Sequence, residues 1–384
     1  MAAYLQPMSN ARGIYLDHNA TAPVRPAVVD TMSETLRLVG NPSSVHQAGR
    51  EARRRVEEAR AQIAALTGAR ARDIVFTSGG TEANNAALRA TGARRLFVSE
   101  VEHDSVLAAA RASALEVIPV PAPNGMVTPD ALAALLGADA SDALVSIQMA
   151  NNETGTVQDI AALVAVTHAA GARFHTDAVQ AAGKLALDVN ALGADYLTLS
   201  AHKIGGPQGV GALIVGPTAP LSALVAGGGQ ELGRRSGTEN VAGIAGFGVA
   251  AVEALAGLSD FAALAAVRDH MEAAILAHAP DARIVGRDTP RLANTSCIVM
   301  PGVKGETQVM HFDLNGLYVS SGSACSSGKV KVSHVLSALG LSAEAAASSV
   351  RISLGHGSEQ AHADTLVASW KALYDRTHGK ARGA

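Results

Sequence analysis

Strand and helix patterns alternate over residues 50–215, and this alternation constrains the fold more than any other feature of the chain. Short apolar runs carry the strand pattern, and helical periodicity separates most of them, as at 50–67, 104–113, 129–136 and 158–170. The predicted strands are 73–77, 95–99, 115–120, 143–149, 172–176, 195–200 and 210–215. Strands joined through helices need right-handed crossovers, which give a mostly parallel sheet covered on both faces. We therefore expect an α/β fold.

A second unit is expected after about residue 255. The pattern changes near Gly257 to a long Ala/Leu-rich helix at 260–279, followed by strand patterns at 295–300 and 350–354. A chain of 384 residues is also longer than one hydrophobic core usually serves. We expect a large domain at 21–255 and a smaller α+β domain at 256–384, with an N-terminal segment (1–20) packed on the small domain.

Composition excludes several classes of function. The net charge of −3 and the aromatic content of 3% argue against a nucleic-acid partner. The uncharged stretch 209–229 holds six glycines and two prolines, so we predict strand and loop there rather than a membrane helix. Two cysteines cannot build a disulfide framework, and the first twenty residues show no secretory pattern. We expect a cytoplasmic protein with no membrane partner.

Polar residues that could take part in binding or catalysis follow the predicted strands. They are Thr77-Ser78-Gly79-Gly80, His103, Asn152, Asp177 and Ser200-Ala201-His202-Lys203. Ligands bind outside the carboxyl ends of the strands in sheets of this kind. The sequence therefore predicts one site at that edge of the sheet.

The segment Ser78–Glu82 suits a phosphate, because glycines let backbone N–H groups approach an anion at a helix N-terminus. A helix cap by Ser78 or Thr81 explains the same residues equally well. Asp177 could hold a pyridinium nitrogen in its protonated form, or cap a helix. Lys203 could condense with an aldehyde cofactor, or lie on a surface turn.

Two further residues of this site are open to more than one interpretation. His103 could stack on a planar cofactor and move protons, or serve only the structure. Gln180, three residues beyond Asp177, could bond to an oxygen on the cofactor ring.

The C-terminal third adds a thiol and a guanidinium. Cys325 lies among small residues from Ser320 to Gly328, where a thiol is poorly buried and could act as a nucleophile, or be incidental. Arg351 lies in an apolar strand pattern and could bind a substrate carboxylate, or form a buried salt bridge. Cys297 lies within a strand pattern, so we predict a core position for it. Phosphate, amine and thiol together suggest pyridoxal phosphate acting on a sulfur-containing amino acid.

The order of these segments resembles that of the NifS/IscS-type cysteine desulfurases, in the class V aminotransferase family of pyridoxal phosphate enzymes with fold type I. The resemblance runs from Ile14 to about Leu373. The matching segments are IYLD (14–17), GNPSS (40–44), FTSGGTE (76–82), EH (102–103), NNETG (151–155), HTDAVQ (175–180), SAHK (200–203), RRSGT (234–238) and SGSACSSG (321–328).

The resemblance implies a pyridoxal 5'-phosphate enzyme and a role for each residue. Lys203 would hold the cofactor through its amine, Asp177 would pair with the pyridinium nitrogen, His103 would stack on the ring, and Gln180 would contact its phenolic oxygen. Gly80, Thr81, Ser200 and His202 would bind the phosphate, with Thr238 reaching the phosphate of a second subunit. Asn152 and Arg351 would hold the carboxylate of L-cysteine, and Cys325 would take its sulfur as a persulfide, leaving alanine.

The resemblance also implies partners. These are a second copy of the chain in a homodimer, and a protein that accepts the sulfur or serves as an iron–sulfur scaffold. The loop at 320–330 would be a mobile arm that carries the sulfur to this partner. Cys325 would be a transient ligand of the partner's cluster. Selenocysteine lyase, another pyridoxal phosphate activity and a non-catalytic carrier are the alternatives. The Cys325 loop favours a cysteine substrate over the selenocysteine of a lyase. A non-catalytic carrier is disfavoured because every expected site residue is present in the sequence.

Overall fold

The structure, a computed structural model, describes residues 13–321 and 332–379 together with the backbone of 325–326 and 329–330. The strands are β1 Ile14–Tyr15, β2 Ile74–Thr77, β3 Arg95–Ser99, β4 Glu116–Val120, β5 Ala143–Ser146, β6 Arg173–Asp177, β7 Tyr196–Ser200, β8 Gly211–Val215, β9 Arg283–Val285, β10 Thr295–Val299, β11 Leu317–Tyr318, β12 Ser320–Ser321, β13 Cys325–Ser326, β14 Lys329–Val330 and β15 Ser349–Ser353. The helices are α1 Pro26–Leu36, α2 Gln47–Thr67, α3 Gly80–Arg89, α4 Asp104–Arg111, α5 Pro129–Leu136, α6 Ile160–Ala169, α7 Val189–Leu192, α8 Val241–Ala256, α9 Leu258–His278, α10 Gly305–Leu314, α11 His334–Ala338, α12 Ala343–Ala347 and α13 Gln360–Gly379.

Seven strands form the main sheet in the order β2-β8-β7-β6-β5-β3-β4. Strands β4, β3, β5, β6 and β7 are parallel neighbours, whereas β8 runs antiparallel to both β7 and β2. The expected α/β fold with a mostly parallel central sheet is confirmed. Each of the seven predicted strands corresponds to an observed one, with bounds that differ by at most three residues.

The main sheet is buried on both faces. Strands β2, β5, β7 and β8 are buried at every residue, as expected for strands covered by helices on either side. Within β2, Ile74 and Phe76 join the larger apolar cluster, while Val75 between them joins a separate cluster on the opposite face. The two-residue period of a strand thus divides the side chains between two helical layers.

A second sheet lies in the C-terminal part. It has four strands in the order β12-β15-β10-β9, all paired antiparallel. Its apolar cluster centres on Trp370, which is fully buried and stacks on Tyr374 at 5.4 Å between ring centroids. This sheet carries Arg351 at the middle of β15.

The described N-terminal residues pack against the second sheet. Strand β1 pairs in parallel with β11, and Leu16 lies in the cluster around Trp370. The backbone N–H of His18 donates to the carbonyl of Ser353 at 3.2 Å. Residues 17–21 therefore run between the two sheets.

Helices α8 and α9 meet at Gly257 with a bend of 63°. Within the described ranges, no one helix has the length and apolar character needed to cross a membrane, although this bent pair meets both criteria when taken together.

Strands β13 and β14 pair antiparallel, with Cys325 opposite Val330. The side chain of Cys325, its expected nucleophilic role and its expected role as a cluster ligand lie outside the described residues, as do residues 1–12 and most of the predicted loop at 320–330.

Candidate active site

A cavity of about 620 Å³ opens where the carboxyl ends of the main-sheet strands face β12 and β15. The structure brings most of the predicted site residues to its lining. They are Gly80, Thr81, His103, Asn152, Asp177, Gln180, Ser200, His202, Lys203 and Arg351.

Thr238 does not reach this cavity within its own chain. It is exposed and lines a separate space of about 140 Å³ beside Ser78 and Arg235. Its expected contact with the phosphate of a second subunit remains a prediction.

The glycine-rich segment leads from β2 directly into α3. Gly79 is the residue before the helix, and no side chain caps the helix start, so neither Ser78 nor Thr81 fills the capping role. Instead Glu82 reaches back to accept the Ser78 N–H at 2.8 Å and is held by Arg235 at 2.9 Å. An uncapped helix start leaves backbone N–H groups available, which favours an anion.

The start of α3 and the recess beside it form a site for an anion, here called the anion cradle. The backbones of Gly79 and β8 approach closely at this site. A Cβ atom at position 211 would lie 2.7 Å from Cα of Gly79, so only glycine fits in β8 at this point. Ser200 and His202 line the same recess as Gly79, Gly80 and Thr81.

Asp177 ends β6 and faces the cavity with its carboxylate held in place. Oδ2 accepts from Nδ2 of Asn84 at 2.7 Å, and Oδ1 accepts from the backbone N–H of Val179 at 2.9 Å. No helix begins directly after Asp177 in the described chain, so the alternative of a helix cap is wrong, and the second bond closes a turn instead while the residue lines the cavity.

Lys203 lies on a short 3-10 turn that follows β7. Its Nζ donates to the backbone carbonyls of Asn19 at 2.6 Å and Ala20 at 2.7 Å. Burial, reinforced by the charge of Arg351, lowers the pKa of the Lys203 amine to about 8, with Asp17 and Asp177 opposing the shift. The alternative of a surface lysine on a turn is therefore wrong.

His103 caps the start of α4 from the position before it, where its Nδ1 accepts the Ser105 N–H at 3.1 Å. Burial lowers the pKa of the ring, with Asp177 opposing and Lys203 adding to the shift. A neutral ring that accepts at Nδ1 carries its proton on Nε2. His103 thus fulfils the structural role left open in the sequence and still supplies one donor.

His202 is also a neutral ring. Burial, with a contribution from Lys203, lowers its pKa to about 4, and its Nδ1 lies 3.2 Å from Oγ1 of Thr21.

Sequence reasoning missed a buried hydrogen-bond centre at Asn19. Its backbone carbonyl accepts from Lys203 and, at 2.9 Å, from Nε2 of Gln180. Its side-chain Oδ1 accepts from Nζ of Lys184 at 2.8 Å, and its Nδ2 donates to the carbonyl of Asn152 at 3.1 Å. Asn19 therefore connects three predicted site residues, and its place two positions after the IYLD segment was the only available signal.

Lys184 is a second lysine beside the site that the sequence analysis did not identify. It is buried, and its Nζ also donates to Oε1 of Gln180 at 2.7 Å. Burial holds the pKa of this amine well below its usual range. The four-residue spacing from Gln180 was the signal that could have indicated it.

Arg351 makes both kinds of contact that the sequence left open. Its Nη2 donates to Oδ1 of Asp17 at 2.6 Å, which is the salt bridge of the structural alternative. Its Nη1 donates to the carbonyl of Asn152 at 3.1 Å. Its Nε is buried and has no hydrogen-bond partner among the described residues, so the guanidinium retains a free donor beside the cavity.

Two acids near the site were also missed, the buried Glu102 and the half-buried Glu153, although both lie in the quoted EH and NNETG segments. Burial raises the pKa of Glu102 well above its usual range, and its Oε1 accepts from the Gln148 N–H at 2.7 Å. Burial likewise raises the pKa of Glu153, whose Oε2 accepts from Oγ of Ser333 at 2.6 Å. Within the described part of the chain, no three His, Cys, Asp or Glu residues cluster closely enough to hold a metal ion.

Cys297 is buried in β10, and burial raises the pKa of its thiol to about 12. Its predicted core position is confirmed.

The residues present fit pyridoxal phosphate. The cavity has the size typical of small-molecule sites, and it offers an anion cradle at one end, a carboxylate at Asp177 and an amine of lowered pKa at Lys203. Buried polar atoms without a described partner remain at Oδ1 of Asn84 and Nε of Arg351, and both residues line the cavity. A polar ligand would satisfy such atoms.

Comparison with protein-family models agrees with this fit. Residues 14–366 match the model "Aminotransferase class-V". The chain therefore belongs to the class-V aminotransferase family, whose members are pyridoxal phosphate enzymes.

Within that family, the chain is similar to proteins named for cysteine chemistry. It is 41% identical to an IscS-like cysteine desulfurase of Mycobacterium tuberculosis over 92% of this chain and 94% of that protein. A NifS-like protein from Rickettsia africae superposes with a TM-score of 0.88 at 38% identity, covering 94% of this chain and 99% of the other. The structure of SspA in complex with cysteine gives a TM-score of 0.76 at 31% identity, covering 88% and 98%.

Proposed function

We propose that this protein is a cysteine desulfurase, which converts L-cysteine into L-alanine and passes the sulfur to Cys325 as a persulfide. The observation that carries this proposal is the joint presence of Lys203, Asp177 and Arg351 around one cavity. The names of the relatives support it, as does the solved complex of SspA with cysteine.

Pyridoxal 5'-phosphate would be held at both ends of the cavity. The start of α3 at Gly80 and Thr81, with Ser200 and His202, would bind the phosphate, and Asp177 would bind the ring nitrogen. Lys203 would hold the cofactor through its amine, His103 would lie against the ring, and Gln180 would contact the phenolic oxygen. When bound, the cofactor supplies an electron sink that labilises bonds at the substrate α- and β-carbons.

Proton transfer would be shared by Lys203 and His103. An amine of pKa about 8 is neutral in about one molecule in ten at pH 7, far more often than an ordinary lysine, so Lys203 can accept a proton as well as return one. The neutral His103 ring carries its proton on Nε2, because Nδ1 is occupied by the Ser105 N–H. It can therefore donate to a group that leaves or accumulates negative charge.

The substrate carboxylate would bind at Arg351 and Asn152. Nε–H of the guanidinium has no described partner, and each Nη keeps a second N–H besides its bond to Asn152 or Asp17, so donors remain for a carboxylate. This anchor would orient the thiol of L-cysteine away from β15 and toward the approaching Cys325.

The sulfur step balances without an external oxidant. The Cys325 thiolate attacks the substrate sulfur, so an S–S bond forms while the substrate C–S bond breaks. The electron pair of the C–S bond goes to the β-carbon, which gains a proton and becomes the alanine methyl group. A thiolate is the reactive form, and the run of small residues from Ser320 to Gly328 is expected to bury a thiol poorly.

The remaining expectations on partners belong to this proposal. A homodimer would bring Thr238 of one subunit to the cofactor phosphate bound by the other subunit. We expect the enzyme to act in the cytoplasm. The persulfide would pass to a protein acceptor or iron–sulfur scaffold, where Cys325 would transiently contact the cluster as cargo. The relatives' IscS-like name supports this destination.

Turnover of L-cysteine tests the proposal directly. We expect alanine and sulfide in equal amounts from the cofactor-loaded protein with a thiol reductant, none from Cys325→Ser, and wild-type rates from Cys297→Ala, which removes the buried thiol. Full activity of Cys325→Ser would remove that thiol from the mechanism. A much faster reaction with selenocysteine than with cysteine would favour a selenocysteine lyase.

A further inference from the structure

Asp17 touches the proposed carboxylate anchor from outside the cavity. Its Oδ1 accepts from Nη2 of Arg351 at 2.6 Å, and both side chains are largely buried. Arg351 lines the cavity, and Asp17 is absent from its lining. Asp17 therefore acts on the guanidinium from behind and not on a ligand directly.

Asp17 is itself fixed from two sides. Its Oδ2 accepts from Oγ of Ser320 at 2.8 Å, and Ser320 lies directly opposite Arg351 in the β12–β15 ladder. Asp17 also forms an isolated bridge with Ser353 of β15. The carboxylate is thus held in register with the strand that presents Arg351.

The other contacts of Arg351 fix the orientation of its guanidinium. Nη1 donates to the carbonyl of Asn152, and Nη2 donates to Asp17, so the planar group is fixed at two nitrogens. Nε is the buried nitrogen without a described partner. Each Nη also carries a second N–H, and a guanidinium fixed at the wall of the cavity can distinguish a ligand that has a carboxylate from one that lacks it.

We propose that Asp17, supported by Ser320, is the positioning residue that orients Arg351, and that it thereby determines selectivity for substrates carrying an α-carboxylate. This rests on the proposed function only in taking an α-amino acid as the substrate. Charge-assisted hydrogen bonds that orient a ligand-binding group contribute strongly to binding when the site is partly buried.

The experiment compares two amines that differ by one carboxylate. L-Alanine and ethylamine are titrated into the cofactor-loaded protein and followed by the cofactor's absorbance, with no turnover needed. In Asp17→Asn, which keeps the shape of the side chain and removes its charge, we expect the affinity for L-alanine relative to ethylamine to fall about tenfold. The ratio is the quantity compared, because Asp17 also acts on the charge of Lys203, which meets both amines. KM for L-cysteine should rise by the same factor with kcat within about twofold.

Two further variants make the result decisive. Ser320→Ala removes one hydrogen bond to Asp17 and leaves the carboxylate in place, so the affinity for L-alanine relative to ethylamine should fall about two- to threefold. Ser320 also lines the cavity, and the ethylamine titration separates a change of the cavity from a change at Arg351. This variant serves if Asp17→Asn fails to fold. Asp142→Asn makes the same acid-to-amide change in a salt bridge with Arg95, outside the lining of the cavity, and it should leave the alanine-to-ethylamine ratio unchanged.

If Asp17→Asn loses affinity for L-alanine and for ethylamine by the same factor, the role of Asp17 is purely structural and the inference fails. Unchanged or tighter binding of L-alanine would also overturn it. Absence of turnover with an intact alanine-to-ethylamine difference would instead count against the proposed function alone.

Discussion

Nζ of Lys203 lies 2.6 Å from the backbone carbonyl oxygen of Asn19, so a neutral dipole holds the amine at this contact. A carbonyl stabilises an ammonium less than a carboxylate does, and burial then dominates. The amine is therefore prepared to react in its neutral form, because the fold places it between two main-chain oxygens and beside the cationic Arg351.

The first prediction concerns the pH at which Lys203 becomes reactive. In the cofactor-free protein, acylation of Lys203 should rise with a midpoint near pH 8, since the lowered pKa increases the neutral fraction as pH passes that value. Peptide mapping after brief treatment with an anhydride at each pH measures it. A midpoint at the ordinary lysine value of 10.5 would contradict the buried, desolvated environment.

The same shift has a consequence for stability. Between pH 8 and 10.5 the unfolded chain binds more protons at Lys203 than the folded chain does. Stability from this group should therefore increase as pH rises through that window, and below pH 8 its burial penalty applies in full. Denaturation of Lys203→Met alongside the parent protein isolates this contribution, and an identical pH slope in both would contradict it.

The second prediction concerns Asp177. Asp177→Asn keeps an oxygen for Asn84 or Val179 but removes the charge that would face a protonated ring nitrogen. We expect cofactor binding to weaken about ten- to hundredfold, the size of one charge-assisted hydrogen bond. Cofactor titration by fluorescence quenching measures the change, and unaltered affinity would remove Asp177 from the cofactor site.

The third prediction concerns a buried ion pair that bonds to β2, the strand that leads into the anion cradle. Glu231 accepts from Arg60 at 2.8 and 2.9 Å and from the Phe76 N–H at 3.0 Å, and both charged side chains are buried. Glu231→Gln leaves Arg60 without its buried partner and should destabilise the fold by about 3–5 kcal/mol. Urea denaturation measures it.

Glu57 provides the matched control for this pair. It also contacts Arg60, at 3.3 Å, but its side chain is 56% exposed. Glu57→Gln should therefore cost only about 0–1 kcal/mol. Equal losses in the two variants would mean that burial does not determine the strength of the Arg60 contacts.

The main sheet could be predicted because its signals are local. Apolar strands bounded by turns give their positions, and differences remain only at the ends, as at 143–149, where β5 stops at Ser146. Beyond that residue the chain stays bonded to its neighbour, with Ile147 donating to His175, but outside the regular ladder. Strand ends depend on such pairing and not on composition.

Helix α8 could not be predicted, because three glycines lower its intrinsic propensity. Packing explains them. A Cβ at position 248 would lie 2.6 Å from Cα of Ala59 in α2, and one at 246 would lie 2.8 Å from Cγ of Met32 in α1. Close helix packing outweighs the propensity cost here, and sequence patterns do not show which helices will meet.

The site residues also fall into those that could be predicted from the sequence and those that could not. Residues at strand ends, such as Asp177 and Lys203, follow from the rule for open α/β sheets. Asn19 acts partly through its backbone carbonyl, and Asp17 through a contact with Arg351, 334 residues away. Both lie in or next to the IYLD segment, but nothing local in the sequence indicates these contacts. The domain boundary near residue 255 and the role of Thr238 remain predictions.

The central claim is that Cys325 accepts the sulfur, and peptide mass spectrometry after one turnover without reductant tests it most directly. We expect one added sulfur atom on the peptide that contains Cys325, none on that of Cys297, and one L-alanine per active site. Alanine formation with no added sulfur at Cys325 would contradict the account.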